Sequence, residues 1–343
     1  MKRRDFFSST LSAGLTGLAA GSCAKPPSLP ERKKLFSFVH YSDCHIQPEQ
    51  GAREGFLASI EMMNLLRPEF VISGGDLVMD ALAVDETRAV MLYDMYIECC
   101  KHLNMPIYNV MGNHEVFGIY SPDKVPENHP EWGKEMFKKR LGEGRTYRSF
   151  DYKGVHFLLL DSVGIEKNID QPGYHYIGEL GFEQIEWLLH DIKNIPYDMP
   201  VIAVTHIPLF TWYEQIRYGT TYPSSRGSVL TDGLELFYIL IDRSWFVILE
   251  GHIHVNEIYM YKGGTFVDTA AVCGAWWSGP RDGHPEGFNL VHVYEDGIET
   301  EYITYGWDAA RYIPQAFNTD VFPLRSAADI ICSEPAVLQQ LWL

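Results

Sequence analysis

From residue 34 onward, short apolar runs alternate with longer stretches in which apolar residues recur three and four apart. Residues 35–41, 70–73, 107–111, 155–160, 201–205 and 246–249 are dense in Val, Ile, Phe and Leu, a pattern that predicts buried strands. Between them, 52–66, 85–103, 130–140 and 179–193 carry the spacing of amphipathic helices. The later chain changes style. Residues 258–261, 265–269, 289–294 and 299–305 read as strands, with Gly-rich turns at 262–264 and 296–297, which predicts antiparallel hairpins. The sum is a layered α/β domain over 35–305, with two mixed sheets packed against each other and helices outside. No internal repeat or second domain boundary interrupts it. Residues 306–343 lack clear periodicity and read as an extension draped over the domain.

Composition agrees with a globular body, because 46% hydrophobic and 13% aromatic residues are ample for a core. Charge narrows the function. Acidic residues outnumber basic ones by 45 to 28, a net of −17, which disfavours nucleic-acid polymers and anionic membrane surfaces as partners. An anionic substrate therefore needs a local positive spot. Residues 1–22 read as an address. "KRRDFF" (2–7) sets paired arginines before aromatics, a weakly apolar segment follows at 11–20, and Ala20-Gly21-Ser22 precedes Cys23. That matches a twin-arginine export signal, and predicts a protein exported from a bacterial cytoplasm, periplasmic or held at the envelope. Cys23 stands where a lipid anchor would be attached; the other reading is an incidental residue near an ordinary cleavage point. Residues 23–34 form a tether. The six cysteines contain no CxxC pair and do not read as a disulfide framework.

Reading the ends of the predicted strands gives one kind of residue. The first run ends in Asp43-Cys44-His45, the second in Gly74-Gly75-Asp76, and the third in Gly112-Asn113-His114-Glu115. The fifth ends in Thr205-His206 and the sixth in Gly251-His252-Ile253-His254. Carboxyl ends of strands in open α/β sheets are where sites assemble. A bare HxH pair is a common surface feature, but five Asp, Asn and His clusters in that one position form an ordered set.

This set, Asp43-x-His45, Gly75-Asp76, Gly112-Asn113-His114-Glu115, His206 and Gly251-His252-x-His254, resembles the calcineurin-like metallophosphoesterases. The resemblance covers roughly 35–305 and implies a four-layer α-β-β-α sandwich with a dimetal site at the carboxyl ends of the strands. It implies one ion on Asp43, His45, Asp76 and His254, and a second on Asp76, Asn113, His206 and His252, with Asp76 bridging. Imidazoles and carboxylates suit borderline divalent ions such as Mn, Fe or Zn. The implied reaction is hydrolysis of a phosphomonoester or phosphodiester by in-line attack of a metal-bridging hydroxide, with His114 assisting the leaving group. Glu115 is expected to accept from the His114 ring and fix its tautomer. A relative that kept the fold and lost catalysis, serving as a scaffold or binding protein, would show a broken ligand set, and none is broken here.

Two departures narrow the resemblance. The tyrosine of purple acid phosphatases, three residues after the bridging aspartate, is replaced by Met79, and His45 occupies a place those enzymes leave without histidine. Leaving-group choice is expected from two aromatic loops, "PLFTWYEQIRYGTTYP" (208–223) and "CGAWWSGPRDGHPEG" (273–287). Of Trp276 and Trp277, at most one is expected to face the site. Arg281 and His284 are candidates for anionic oxygens, with a structural salt bridge as the other reading of the arginine. Substrate identity and oligomeric state are not legible.

Overall fold

The computed structural model describes residues 32–169 and 173–311; the signal segment, the tether up to residue 31 and residues 312–343 of the extension lie outside the described residues. The chain begins with β1 (Lys34–Tyr41), α1 (Ala52–Leu66), β2 (Val71–Ser73), α2 (Glu86–Cys100) and β3 (Ile107–Asn109). It continues through α3 (Glu135–Arg140), β4 (Arg148–Tyr152), β5 (Val155–Leu159), β6 (Val163–Lys167), β7 (Tyr174–Gly178), α4 (Phe182–Lys193) and β8 (Val201–Val204). Then follow α5 (Tyr213–Tyr218), α6 (Gly233–Leu240), β9 (Phe246–Glu250), β10 (Glu257–Tyr261), β11 (Gly264–Asp268), β12 (Gly287–Tyr294) and β13 (Gly297–Thr304).

Two large sheets result. One has five strands in the order β13-β12-β1-β2-β3; the other has six in the order β10-β11-β9-β8-β5-β4. Both are mixed. β1, β2 and β3 run parallel, as do β5, β8, β9 and β11, while β12 and β13 in the first sheet and β4 and β10 in the second add antiparallel neighbours.

The strand period of two decides which side each residue serves. Phe36 and Phe38 of β1, Val155, Phe157 and Leu159 of β5, and Val247 and Leu249 of β9 form the core between the sheets. Their alternates face outward onto helices. Val39 and Tyr41 pack with Phe56, Ile60 and Met63 of α1 and with Leu92, Tyr93 and Tyr96 of α2. Leu158, Ala203, Phe246 and Ile248 pack with Leu188 and Ile192 of α4 and with Leu236, Phe237 and Leu240 of α6. The four expected layers are therefore present in order. The apolar runs lacked polar alternation because both faces of each central strand are covered.

Element boundaries differ where tertiary contact competes with pattern. The predicted helix 130–140 is helical only over α3, with 130–134 in turns. The β6–β7 hairpin, α5 and α6 carry no period that singled them out. β6 and β7 pair with each other, Gly178 of β7 also bridges Leu230, and Glu166 faces His175 across the ladder. At the start of the extension, Trp307 meets Trp277 edge-on at 5.4 Å between ring centroids.

Candidate metal centre

All five predicted clusters converge on one spot. β1, β2 and β3 deliver Asp43, His45, Asp76 and Asn113 from one sheet, while β8 and β9 deliver His206, His252 and His254 from the other. The site therefore straddles the gap between the sheets at the carboxyl edge of their parallel strands.

The turns after those strands are unusual. Asp43, His45, Asp76, His252 and His254 all hold left-handed backbone, with φ of 58°, 44°, 52°, 72° and 59°. That region is uncommon outside glycine and costs on the order of 1–3 kcal/mol per residue. His252 and His254 consequently do not sit side by side on a strand. β9 ends at Glu250, and the following turn sends the two rings to different partners. Close approach also demands glycine. A Cβ on Gly112 would lie 2.3 Å from the Asp76 amide nitrogen, and one on Gly251 would lie 2.0 Å from Ser42 Oγ and 2.9 Å from Asp43 Oδ2.

Two groups of donor atoms share one carboxylate. In the first, His45 Nε2 lies 3.1 Å from His254 Nε2, 3.5 Å from Asp76 Oδ2 and 3.7 Å from Asp43 Oδ1, and His254 Nε2 lies 3.2 Å from Asp43 Oδ1. In the second, His206 Nε2 lies 3.2 Å from Asp76 Oδ2, from Asn113 Oδ1 and from His252 Nδ1. His254 Nδ1 donates to the Gly274 carbonyl at 2.6 Å, and His206 Nδ1 donates to the Gly74 carbonyl at 2.9 Å. Those bonds leave each Nε2 lone pair aimed into the ring. Burial, with His114 next in weight, pulls His45 down to about 4, and burial with His206 does the same for His252, so both are neutral donors. Burial opposes charge on Asp43 and Asp76, but the histidines outweigh it and hold both carboxyls below the usual carboxylate range. For His206 burial pulls downward, yet Asp76 and Asp43 raise it to about 9, so without a cation its Nε2 holds a proton that a bound ion would displace.

These residues fit a divalent cation. Asp43 Oδ1 is sealed from solvent with no hydrogen-bond partner, an expensive state for a carboxylate oxygen unless a cation completes it. Imidazole nitrogens facing one another at 3.1 and 3.2 Å are arranged to share a ligand rather than a proton. The N/O donor set is that of borderline divalent ions.

His114 stands at the edge, half-buried, with Nε2 3.9 Å from Asp76 Oδ2. The expected role of Glu115 does not hold. The His114 ring nitrogen Nδ1 donates to the Met79 carbonyl, not to Glu115. The Glu115 carboxylate instead accepts from the backbone N–H groups of Asp76, Leu77, Val78 and Gly112, at 2.7–3.1 Å. It ties the β2 and β3 loops together and so places Asp76 and Asn113. The G-x-x-E spacing points only to the Gly112 contact; the other three partners are main-chain groups of the β2 loop.

Among the aromatic candidates the structure separates the pair. Trp277 is fully buried, its Nε1 donating to the carbonyls of Cys44 and His45 at 3.0 and 3.2 Å. Trp276 faces the site, 4.8 Å from His254 and 6.0 Å from His45 between ring centroids. It lines a cleft of about 270 Å³ together with His252, His254, Tyr213, Arg217 and Arg281. His284 is not part of that lining. Its Nδ1 accepts from the Asn256 amide at 3.3 Å, and its backbone closes a two-bond turn with Arg281. Sequence reasoning missed Tyr213, Arg217 and Asp282, which gather at this wall, and Cys273, whose sulfur lies within 4.8 Å of donor atoms of His45 and His254.

Comparison with known proteins agrees with this geometry. Residues 36–256 match the family model of the calcineurin-like phosphoesterases. A 3',5'-cyclic-nucleotide phosphodiesterase from Nostoc sp. is 24% identical over 287 residues, spanning 79% of this chain and 92% of that protein. A dimetal phosphatase from Danio rerio superposes with a TM-score of 0.53 at 13% identity, over 80% of this chain and all of the other. A purple acid phosphatase from yellow lupin gives 0.51 at 13% identity, over 79% of this chain and 51% of that one. At those identities the two structures speak for the fold. The family match covers most of the chain and every motif that builds the ring. The chain belongs to the calcineurin-like phosphoesterase family, and is a metal-dependent hydrolase of phosphate esters.

Proposed function

We propose that the ring holds two divalent ions, Mn, Fe or Zn, and that the protein hydrolyses a phosphomonoester or phosphodiester there. Asp43, His45, Asp76 and His254 would hold one ion; Asp76, Asn113, His206 and His252 would hold the other. One observation carries the reading: the single oxygen Asp76 Oδ2 lies 3.5 Å from His45 Nε2 and 3.2 Å from His206 Nε2, between the two donor groups. Two such ions, when bound, supply a nucleophile at neutral pH and offset charge on the attacking and leaving oxygens. The chain's own residues do the rest. Glu115 fixes the loop that presents Asp76, the Met79 carbonyl holds the His114 ring by Nδ1–H, and Nε2 is left to face a leaving oxygen, to which the doubly protonated ring would give its second proton.

The Nostoc relative supports including cyclic phosphodiesters among the substrates. The intact ligand set supports catalysis over a scaffold role. The test is metal analysis with hydrolysis of p-nitrophenyl phosphate and bis(p-nitrophenyl) phosphate before and after chelation. About two equivalents of metal, with activity lost on chelation and restored by the ion, are expected. Turnover unaffected by chelation overturns the reading. For export, the paired arginines Arg3 and Arg4 support a twin-arginine route. Lysine at both positions should retain the protein in the cytoplasm, and Cys23→Ser should release it from membranes if Cys23 carries a lipid.

A further inference from the structure

Helix α5 and the loop after it are turned inside out. A helix on a domain surface normally buries its apolar residues and shows its polar ones. Here Trp212, at the cap of α5, and Ile216, one turn on, are 62% and 81% exposed, while the polar residues between them hold the following loop. The Glu214 carboxylate accepts from the Ser225 amide at 3.0 Å and from Ser228 Oγ at 2.9 Å. Gln215 Nε2 donates to the Tyr222 carbonyl at 2.8 Å and to Ser224 Oγ at 3.2 Å. The Trp212 amide donates to Glu257 Oε2 at 3.1 Å, which ties the start of the helix to the edge strand β10. A fixed polar frame therefore holds the apolar side chains outward.

Three more exposed rings extend the patch. Tyr218 and Tyr222 sit 4.8 Å apart between centroids, and Phe210 rests on Tyr259 and Phe266 at 6.2 and 5.9 Å. Charge is thin here. Residues 208–231 hold one glutamate and two arginines, in a chain of 45 acidic and 28 basic residues. The glutamate is Glu214, already engaged by the loop, and Arg226 pairs with Glu166 at 2.8 Å. The exposed polar residues beside the rings, Thr220, Thr221 and Ser225, carry hydroxyls and no charge. The patch also borders the metal centre, because Tyr218 lines the same cleft as His252, His254 and Trp276.

We infer that the outward face of residues 210–222 docks the protein on a neutral or zwitterionic lipid surface. Exposed apolar side chains gathered on one element and rimmed by polar ones mark a protein or membrane contact, and the make-up of this face decides between them. Trp and Tyr favour the headgroup level of a bilayer, where one part of the ring meets hydrocarbon and the other meets water. The scarcity of acidic groups removes from this face the repulsion that a net charge of −17 brings elsewhere, and that same net charge selects against anionic lipid. The contact is shallow, made by one short helix and its loop, as in proteins that lie on a bilayer. It holds the mouth of the metal cleft against the headgroups, since Tyr218 belongs to both. Docking needs neither metal nor turnover, so it stands or falls apart from the phosphoesterase reading.

The test is flotation of the full-length chain with phosphatidylcholine vesicles, in a Cys23→Ser background so that no acyl chain contributes. The protein should float with the vesicles equally at about 0.1 M and about 1 M salt, because salt does not screen an apolar contact. An equal mixture of phosphatidylcholine and phosphatidylglycerol should bind it less. Trp212→Ser and Ile216→Ser should each lower the partition coefficient about tenfold. Leu65→Ser, which removes a comparably exposed leucine from α1, should leave it unchanged. Melting temperature and metal content should stay at the parent values in all three variants. Absence of flotation by the parent chain overturns the docking. So does stronger binding to the anionic mixture, binding that Trp212→Ser and Ile216→Ser leave intact, or an equal loss in Leu65→Ser. Sedimentation velocity without vesicles reads the other occupant: a dimer that Ile216→Ser dissociates would give this face to a second copy of the chain and overturn the lipid contact.

Discussion

In the donor ring, the backbone sets the side chains. Nδ1 of His254 and of His206 donate to main-chain carbonyls, the Asp76 loop hangs from Glu115 by main-chain N–H groups, and five ligands sit in left-handed turns at strand ends. The cleft wall a few ångströms away is assembled differently. Tyr213, Arg217, Arg281 and Asp282 meet side chain to side chain, from a short helix and a loop more than 60 residues apart in sequence. The first arrangement is rigid and determines what reaction is catalysed. The second can be rewritten one side chain at a time without moving a strand, which is where a fold used for many phosphate esters can change its substrate.

Substitutions can break that contrast, beginning with the ring. Asp76→Asn replaces the one charge shared by both donor groups with a neutral amide. Metal content should fall and turnover should drop at least 10²-fold, a contribution of several kcal/mol, read by metal analysis and steady-state kinetics. Full metal content with near-normal turnover would show that the donor groups do not share Asp76.

The next effect is structural. Trp277→Ala removes a fully buried indole and its hydrogen bonds to the Cys44 and His45 carbonyls, and should cost about 3–5 kcal/mol in denaturant unfolding. Because those carbonyls belong to the ligand turn, metal affinity should weaken along with stability. A variant with altered ligand preference and native stability would place Trp277 in the wall instead.

His114→Ala should leave the metals in place and slow esters of poor leaving groups by about 10²-fold. Activated phenolic esters should lose less, because their oxygens need little protonation. Equal losses for both classes would make His114 a phosphate-positioning group. The smallest effect belongs to Trp276. Trp276→Ala should raise KM for bulky esters about tenfold in steady-state kinetics, while Trp276→Phe, which keeps a ring face beside His254, should lose less. Unchanged KM in both variants would remove Trp276 from the leaving-group side of the site.

The sequence determined the chemistry because its signal is local. Each ligand follows a strand by two to four residues, so an apolar run with Asp, Asn or His shortly after its end marks a donor wherever that strand later goes. The central strands and the ring residues were legible for that reason, and α1, α2 and α4 by their apolar period, whereas β4 and α6 were not. The role of Glu115, the separation of Trp276 from Trp277, and the meeting of Arg217 with Arg281 were decided only by tertiary structure. In each case the partners come from different loops: main-chain amides after β2 for Glu115, the Cys44 and His45 carbonyls for Trp277, and a phenol on α5 for Arg281. No periodicity records such pairings, since hydrophobic pattern encodes which face of an element is buried, whereas loop-to-loop contacts depend on how the finished layers bring their edges together.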